Sequence, residues 1–211
     1  TRPMTQQPIA GSDQGRRYGG ADPDERRARR RADLVDAGLD LFGTEGFAPV
    51  PIKRICEHAG VTQRYFYESF ADKPALLGAV YDACVDATRA RTVAAALPFM
   101  GDAGQPDTGE RAVGERAVPA EQIPDAARAI LGAFIDALAT DPRRARVMLV
   151  EIVGVTTELE RTRQQAIHGW AHLILMFARG QQSPTRVQRL AAIGLVGAVT
   201  QLLVDWYTSH T

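Results

Sequence analysis

Apolar residues recur at the spacing of an α-helix through most of the chain, which indicates an all-α protein. The first such segment predicts a helix from about Asp24 to Gly43, and Gly46 suits a left-handed stop beyond it. Acidic residues at the start of this segment are favourable at a helix N-terminus. The apolar positions occupy one arc of the helical wheel: Leu34, Val35, Leu39, Leu41 and Phe42.

Two short helices joined by a tight turn are predicted next. Pro51 suits the first turn of the first short helix, where its missing N–H is not needed. Gly60 supplies the turn that follows, because glycine adopts positive φ without steric cost. The apolar residues of this helix fall on one face: Ile52, Ile55, Cys56 and Ala59.

The second short helix is predicted from Gln63 to Ser69, with Thr62 as its N-cap. Phe66 and Phe70 lie four residues apart and should point inward. Three side chains of the first turns should point outward, namely Gln63, Arg64 and Tyr67. This is the arrangement of a helix-turn-helix, in which the first residues of the second helix contact base edges.

The rest of the chain is predicted to be helical, apart from two segments. Residues 1–21 are polar without periodicity and should be disordered. Residues 98–122 contain a tandem five-residue duplication between 109 and 118, which indicates a tolerated loop expansion. Helices are expected from Asp72 as N-cap to about Leu97, and over 124–140, 142–153, 156–179 and 183–207.

The last predicted helix is apolar on all sides, so it should be buried on all sides. Small residues such as Gly194 and Gly197 alternate with large apolar ones, which favours close approach of another helix. A contact between two subunits satisfies this pattern. The alternative is a helix that lies at the centre of one subunit.

Composition adds little to this picture. The 211 residues are 45% hydrophobic and carry a formal net charge of zero, so a basic face must come from arrangement. Cys56 and Cys84 lie in apolar helical contexts and should be buried thiols. No signal peptide is recognisable, which favours a cytoplasmic protein. The longest apolar run, 190–204, is too short to span a bilayer, so no membrane partner is expected.

The sequence gives no positive support for catalysis. His168 and His172 have the i,i+4 spacing that can hold a metal, but Gly169 stands where a metalloprotease motif needs glutamate. No third ligand, phosphate loop, nucleophile elbow or paired carboxylate accompanies them. We therefore expect no metal site, no cofactor and no enzyme, and the two histidines should pack or bind a ligand.

The segment from residue 26 to 80 resembles the N-terminal domain of TetR-type transcriptional regulators, in a version common in actinobacteria. The resemblance rests on the run 34–42, Gly46-Phe47, the turn 59–62, Phe66-Tyr67, Phe70 and Lys73 with Leu76-Leu77. It implies a three-helix DNA-binding head at 22–71 and a helical ligand-binding and dimerisation body at 72–211. It also implies a homodimer that binds a pseudo-palindromic DNA operator.

Side-chain chemistry and the resemblance together predict the DNA contacts. Arg64 can donate two hydrogen bonds to guanine, and Gln63 can pair with adenine. Arg31 is expected to contact DNA, and the alternative is that its arginine cluster only serves solubility. For Tyr65 the alternative is packing on the head. In the family that the segment resembles, a residue with a hydroxyl group usually stands at the start of the first short helix, and Val50 replaces it here. Binding should therefore also use Lys53. The predicted set is Arg31, Lys53, Thr62, Gln63, Arg64, Tyr65, Tyr67 and Lys73.

A small apolar effector is expected to bind in the body and to release DNA through a shift of the helix that starts at Lys73. Methionine and aromatic side chains suit pockets for irregular apolar shapes. The alternative function is a helical protein-interaction module without specific DNA recognition. The predicted ligand contacts are Phe134, Met148, Glu151, His168, Trp170, His172 and Met176.

Overall fold

The computed structural model describes residues 22–100, 118–179 and 182–209, and every regular element in these ranges is helical. The predicted disordered arm and residues 109–117 of the duplication lie outside the described residues. The helices are α1 (Pro23–Thr44), α2 (Ile52–His58), α3 (Gln63–Ser69), α4 (Lys73–Ala96), α5 (Ile123–Thr140), α6 (Pro142–Arg146), α7 (Thr157–Arg179) and α8 (Arg186–Ser209).

Helices α1, α2 and α3 pack with the first turns of α4 into the head. Phe42, Ile55 and Phe66 are fully buried there, which confirms the apolar faces predicted from their spacing. Gly46 has φ 95° and Gly60 has φ 66°, so both turns use the left-handed backbone that glycine permits. The helix-turn-helix is therefore built as its sequence predicts.

Two aspartates cap the long helices that flank α2 and α3. The Asp22 carboxylate accepts a hydrogen bond from the Asp24 N–H at 3.1 Å, and Asp72 accepts one from the Ala75 N–H at 2.7 Å. The prediction for Thr62 is half right. This residue does precede α3 in extended conformation, but its side chain makes no capping hydrogen bond.

The body consists of the remainder of α4 with α5 to α8. Between α6 and α7 the chain continues as a π-helical turn over Val147–Glu151, and Gly154 ends this segment with φ 72°. One buried core runs without interruption from Leu34 in α1 to Leu203 in α8, so it crosses the predicted domain boundary. The head is thus continuous with the body along α4.

The predicted loop at 98–122 is partly structured where it is described. Leu97–Phe99 and Ala120–Gln122 form short 3-10 turns, and the Val118 N–H donates to the Phe177 carbonyl at 3.0 Å. This end of the body has its own small core of Ala96, Val118, Ala126 and Phe177. The segment after residue 117 is therefore tied to α7.

The prediction that the last helix is buried on all sides is wrong for a single chain. In α8 only Ala192 and Leu203 are buried. Val187 is 75% exposed and Leu202 is 69% exposed, which also contradicts the alternative of a helix at the centre of one subunit. The helix packs on α7 along one side and leaves its other apolar side open.

Candidate functional site

The start of α3 forms an exposed polar surface on a rigid base. Phe66 and Phe70 face the core, and their rings lie 5.9 Å apart between centroids. Because the buried phenylalanines fix the rotation of this short helix, the first turn must project into solvent. The exposed residues are Thr62, Gln63, Arg64 and Tyr67, as predicted.

Arg64 is held by a partner on its own helix. Its Nε donates to the Glu68 carboxylate at 3.0 Å, in an i,i+4 pair that is largely exposed on the arginine side. Exposed pairs of this kind contribute about 0–1 kcal/mol. Arg64 can therefore exchange Glu68 for a guanine edge at small cost.

Tyr65 and the arginines of α1 stack on each other. The Arg30 guanidinium lies 4.3 Å from the centroid of the Tyr65 ring, and Arg31 lies 4.7 Å from that of Phe70. Tyr65 is half-buried and packs on the head, which agrees with the alternative predicted for this residue. Arg31 is exposed and stays available to phosphate beside α3.

The two lysines of the predicted set differ in their surroundings. Lys53 is exposed on α2 and lies 3.7 Å from the Glu57 carboxylate. Lys73 Nζ instead donates to the carbonyls of Phe47, Ala48 and Val50 at 2.9, 3.2 and 3.0 Å. Partial burial lowers the pKa of Lys73. All three of its N–H bonds are used within the protein, so its evident role is to fix the loop between α1 and α2.

A cavity of about 900 Å³ lies in the body, between α4, α5, the π-helical turn, α7 and α8. This volume is in the range of pockets that enclose small organic ligands. The Phe134 and Trp170 rings meet edge to face on its wall, 5.0 Å apart. The apolar lining includes Ile123, Ile130, Leu131, Phe134, Met148, Leu149, Val150, Val153, Ile167, Trp170, Leu173, Ile174, Phe177, Leu195, Val199 and Val204.

The structure brings three of the predicted ligand residues to this cavity: Phe134, Met148 and Trp170. His168 and His172 are exposed and, like Met176, are absent from its lining. Glu151 faces the head instead. Its carboxylate accepts from the Phe47 N–H at 2.7 Å and from Arg146 Nε at 2.8 Å.

Several lining residues were missed by the sequence analysis, most clearly those of α5. Ile123 and Ile130 lie on the cavity wall at helical spacing from the predicted residue Phe134, so their periodicity could have identified this face. Tyr81 and Arg163 were missed for another reason. Each is a polar residue among apolar neighbours, and only the packed structure shows that both reach the same cavity.

The segment that closes the cavity also holds the head. Met148, Leu149 and Val150 of the π-helical turn line the cavity, while Glu151 binds the Phe47 N–H. One residue before this turn, Arg146 donates to the Thr44 carbonyl at 2.7 Å. The loop between α1 and α2 is thus held from two sides, by Lys73 of α4 and by the π-helical turn.

Helix α6 also approaches α1 closely. A methyl group on Gly43 would overlap the Arg143 side chain, so glycine is needed for this contact. Arg143 donates to Asp40 of α1 and also, through Nε, to Asp141 at 2.8 Å. These bonds lower the pKa of Asp141, chiefly through the hydrogen bond from Arg143. The head and body therefore meet across an ion-paired contact in addition to the shared helix α4.

The open side of α8 has the properties of an intersubunit surface. By length and composition α8 could also cross a membrane. The whole helix is longer than its apolar run 190–204, which by itself is too short to span a bilayer. Thr200, Gln201 and Asp205 interrupt its apolar residues. An interface with another protein accommodates these polar groups more readily than hydrocarbon does.

Comparisons with known proteins agree with this geometry. Residues 34–80 match the family model for bacterial regulatory proteins of the tetR family. Among solved structures, the fatty acid degradation regulator FadR from Bacillus halodurans is similar, with 17% identity, 86% of each chain covered and a TM-score of 0.60. A search of curated proteins finds no significant match.

Two further solved structures share the fold over most of the chain. FadR from Bacillus subtilis, in complex with stearoyl-CoA, has 15% identity over 85% of this chain and 88% of its own, with a TM-score of 0.60. NalD of Pseudomonas aeruginosa, the secondary repressor of the MexAB-OprM multidrug efflux pump, has 17% identity over 87% and 86%, with a TM-score of 0.51.

A helix-turn-helix head on a helical body defines the class of this protein, a DNA-binding transcriptional regulator. The match over residues 34–80 identifies the head as a domain of the tetR family of bacterial regulatory proteins, and the similar solved structures share the helical fold over 86% and 87% of the chain. This classification favours DNA recognition over the alternative of a protein-interaction module.

Proposed function

We propose that this protein is a cytoplasmic homodimeric repressor that leaves its operator when an apolar small molecule enters the cavity of the body. The observation that carries the proposal is the polar first turn of α3, exposed on a buried aromatic base. Residues 22–71 serve as the DNA-binding unit and residues 72–211 as the ligand-binding and dimerisation unit. A repressor needs no further parts, since occupation of an operator can block polymerase.

The DNA contacts are proposed to divide into base contacts and backbone contacts. Gln63 and Arg64 face base edges in the major groove. Tyr67 and Lys53 face phosphates, and Lys73 acts indirectly by fixing the loop beside α2. The remaining members of the proposed set border the same surface and contact the backbone: Arg31, Thr62 and Tyr65.

The dimer is proposed to form through the open side of α8. Its exposed apolar residues need cover, and a second copy of the same helix supplies it with two-fold symmetry. Two α3 helices related by this axis would then meet successive major grooves, roughly 34–36 Å apart. The operator is accordingly a pseudo-palindrome. The exposed apolar residues of α8 are Val187, Leu190, Leu195, Leu202 and Trp206.

Release of DNA is proposed to start at the cavity wall. A ligand can shift the equilibrium only through its different affinities for the DNA-binding and released conformations. Here α4 and the π-helical turn both line the cavity, and both hold the loop between α1 and α2. The similar FadR from Bacillus subtilis binds stearoyl-CoA, whose long acyl chain supports an apolar effector in this kind of body, and NalD is a repressor, which supports repression.

The experiment that tests DNA recognition is selection of duplexes from a random pool by the purified protein. We expect an enriched pseudo-palindrome. Arg64→Ala should weaken binding by about 1–3 kcal/mol and relax preference at one base pair, whereas Tyr67→Phe should weaken binding to all sequences alike. Arg128→Ala, on the exposed side of α5, is the matched control and should bind as the wild type does. A pool without enrichment would contradict the proposal.

A further inference from the structure

The cavity has few polar groups, and most of their donors are already used. Thr92 and Thr200 donate to the backbone carbonyls of their own helices at 2.9 and 2.8 Å, and Thr208 does the same at 2.9 Å. Gln201 donates to the Asp205 carboxylate at 2.8 Å. These side chains therefore have little left to donate to a ligand.

The charged group on the wall is also satisfied. Arg163 Nε and Nη2 donate to the two carboxylate oxygens of Glu160 at 2.9 and 2.6 Å. The pair is neutral as a whole, so it does not call for an opposite charge on the ligand. An anionic ligand would moreover lie near the Glu160 carboxylate, which disfavours it.

Arg89 is a second cation close to the cavity wall, through its contact with Trp170. Its guanidinium lies 5.5 Å from the centroid of the Trp170 ring, and its Nε is enclosed without a hydrogen-bond partner among the described residues. It is absent from the cavity lining, whereas Trp170 is on the wall. The stacked ring gives Arg89 a partner in the protein.

Tyr81 differs from the other polar lining residues. It is 4% exposed, and its hydroxyl makes no hydrogen bond within the described parts of the chain. The hydroxyl oxygen is also not one of the fully enclosed polar atoms that lack a hydrogen-bond partner, so it is open to the cavity. Burial raises the pKa of Tyr81 to about 12. The group therefore remains a protonated donor at neutral pH.

The shape of the lining is elongated. On α7 the lining residues extend from Arg163 to Ala178, which at 1.5 Å per residue spans roughly 22 Å. Tyr81 and Arg163 stand at the end nearer the head, and Val118 and Phe177 at the other end. An unbranched apolar body fits this length better than a compact ring system.

We infer that the cavity takes an uncharged, elongated apolar ligand with a carbonyl or similar acceptor oxygen, and that the Tyr81 hydroxyl donates to this oxygen. The inference rests on the proposed function and specifies its ligand class. The wall presents no unpaired positive or negative charge. The proposed ligand class therefore excludes long-chain acids and quaternary amines as preferred ligands.

The test is displacement of Nile red, a neutral fluorescent dye, from the full-length protein at pH 7. The competitors are 2-tridecanone, tridecane, dodecanoate and dodecyltrimethylammonium, which share a chain and differ in the head group. We expect 2-tridecanone to bind tightest. Tyr81→Phe should weaken 2-tridecanone by about 2–12-fold, the range for one hydrogen bond, and leave tridecane unchanged.

Thr92→Val is the matched control, because it removes a wall hydroxyl whose donor is already used. It should leave the preference for the ketone intact. The inference is overturned if dodecanoate binds tightest, if no competitor displaces the dye, or if Tyr81→Phe weakens ketone and alkane equally.

Operator binding in the same preparations separates the two proposals. A ketone that binds through Tyr81 but leaves operator affinity unchanged contradicts release by the ligand and leaves the ligand class standing. Release of the operator by dodecanoate alone would contradict the ligand class and leave release by a ligand standing.

Discussion

The head and helix α8 differ in how completely one chain buries their apolar residues. In the head Leu34, Phe42, Ile55 and Phe66 are fully buried, and aspartates cap the N-termini of α1 and α4. In α8 the large residues Leu190 and Leu202 are mostly exposed. The head is therefore complete within one chain, whereas α8 leaves large apolar residues uncovered.

A cavity variant in the head should give the largest effect on stability. Phe66→Ala removes a fully buried ring, and such changes cost about 3–5 kcal/mol. Chemical denaturation measures the loss as a lower free energy of unfolding. The neighbouring Tyr67→Ala is the control, because Tyr67 is exposed and its loss should be small. A loss below about 1 kcal/mol for Phe66→Ala would contradict a complete head core.

A charge on the open side of α8 should have the next largest effect, and on assembly rather than on folding. Leu202 is 69% exposed in one chain. At the centre of a dimer interface, Leu202→Glu should cost at least about 2 kcal/mol of association, counted in both copies. Sedimentation should then show a monomer where the wild type is a dimer.

Leu97→Glu is the control for this variant, because Leu97 is 60% exposed but lies outside α8. It should sediment as the wild type does. If Leu202→Glu remains a dimer, the open side of α8 is not the interface.

The head was predictable because its determinants are local in sequence. Gly46, Gly60 and Pro51 mark turns, and Phe66 with Phe70 sets the face of α3 within a few residues. The limits of α3 agree with the prediction residue for residue. The role of Lys73, however, was not predictable in this way, because its three carbonyl acceptors come together only in the folded loop.

The body was less predictable because its determinants are distant in sequence. Glu151 looked like a polar group for a ligand, yet it binds the Phe47 N–H across more than a hundred residues. His168 and His172 share a helical face, but the rotation of α7 places that face in solvent. For α8, the sequence predicted burial on all sides, with an intersubunit contact or a central position in one subunit as alternatives, and in one chain most of its large apolar residues are exposed.

The junction between the regions can be tested through Glu151. Glu151→Gln keeps the size of the side chain but weakens its bonds to the Phe47 N–H and to Arg146. If the π-helical turn transmits ligand binding, the coupling of about 1–3 kcal/mol between cavity and operator should fall. Operator titrations with and without 2-tridecanone measure this coupling. Glu158→Gln, exposed on α7, should leave the coupling unchanged.

A smaller effect is expected from the ion pair between Asp141 and Arg143, the α6 residue that also donates to Asp40 of α1. Asp141 accepts from Arg143 and starts α6 as its N-cap. Asparagine is also a good N-cap, so Asp141→Asn removes the charge and retains the cap. A partly exposed ion pair of this kind contributes up to about 1 kcal/mol, and we expect a loss of that size at pH 7.

The dependence of this loss on pH identifies its cause. Because the folded-state pKa of Asp141 is lowered, its charge stabilises the protein above the unfolded pKa of about 3.9. That stability disappears as the pH falls through the folded-state pKa. The difference between wild type and Asp141→Asn should therefore shrink below about pH 4, whereas Asp125→Asn, in an exposed pair on α5, should differ little at any pH. A difference that stays constant on acidification would show that the asparagine acts through shape, and that the charge of Asp141 does not stabilise the fold.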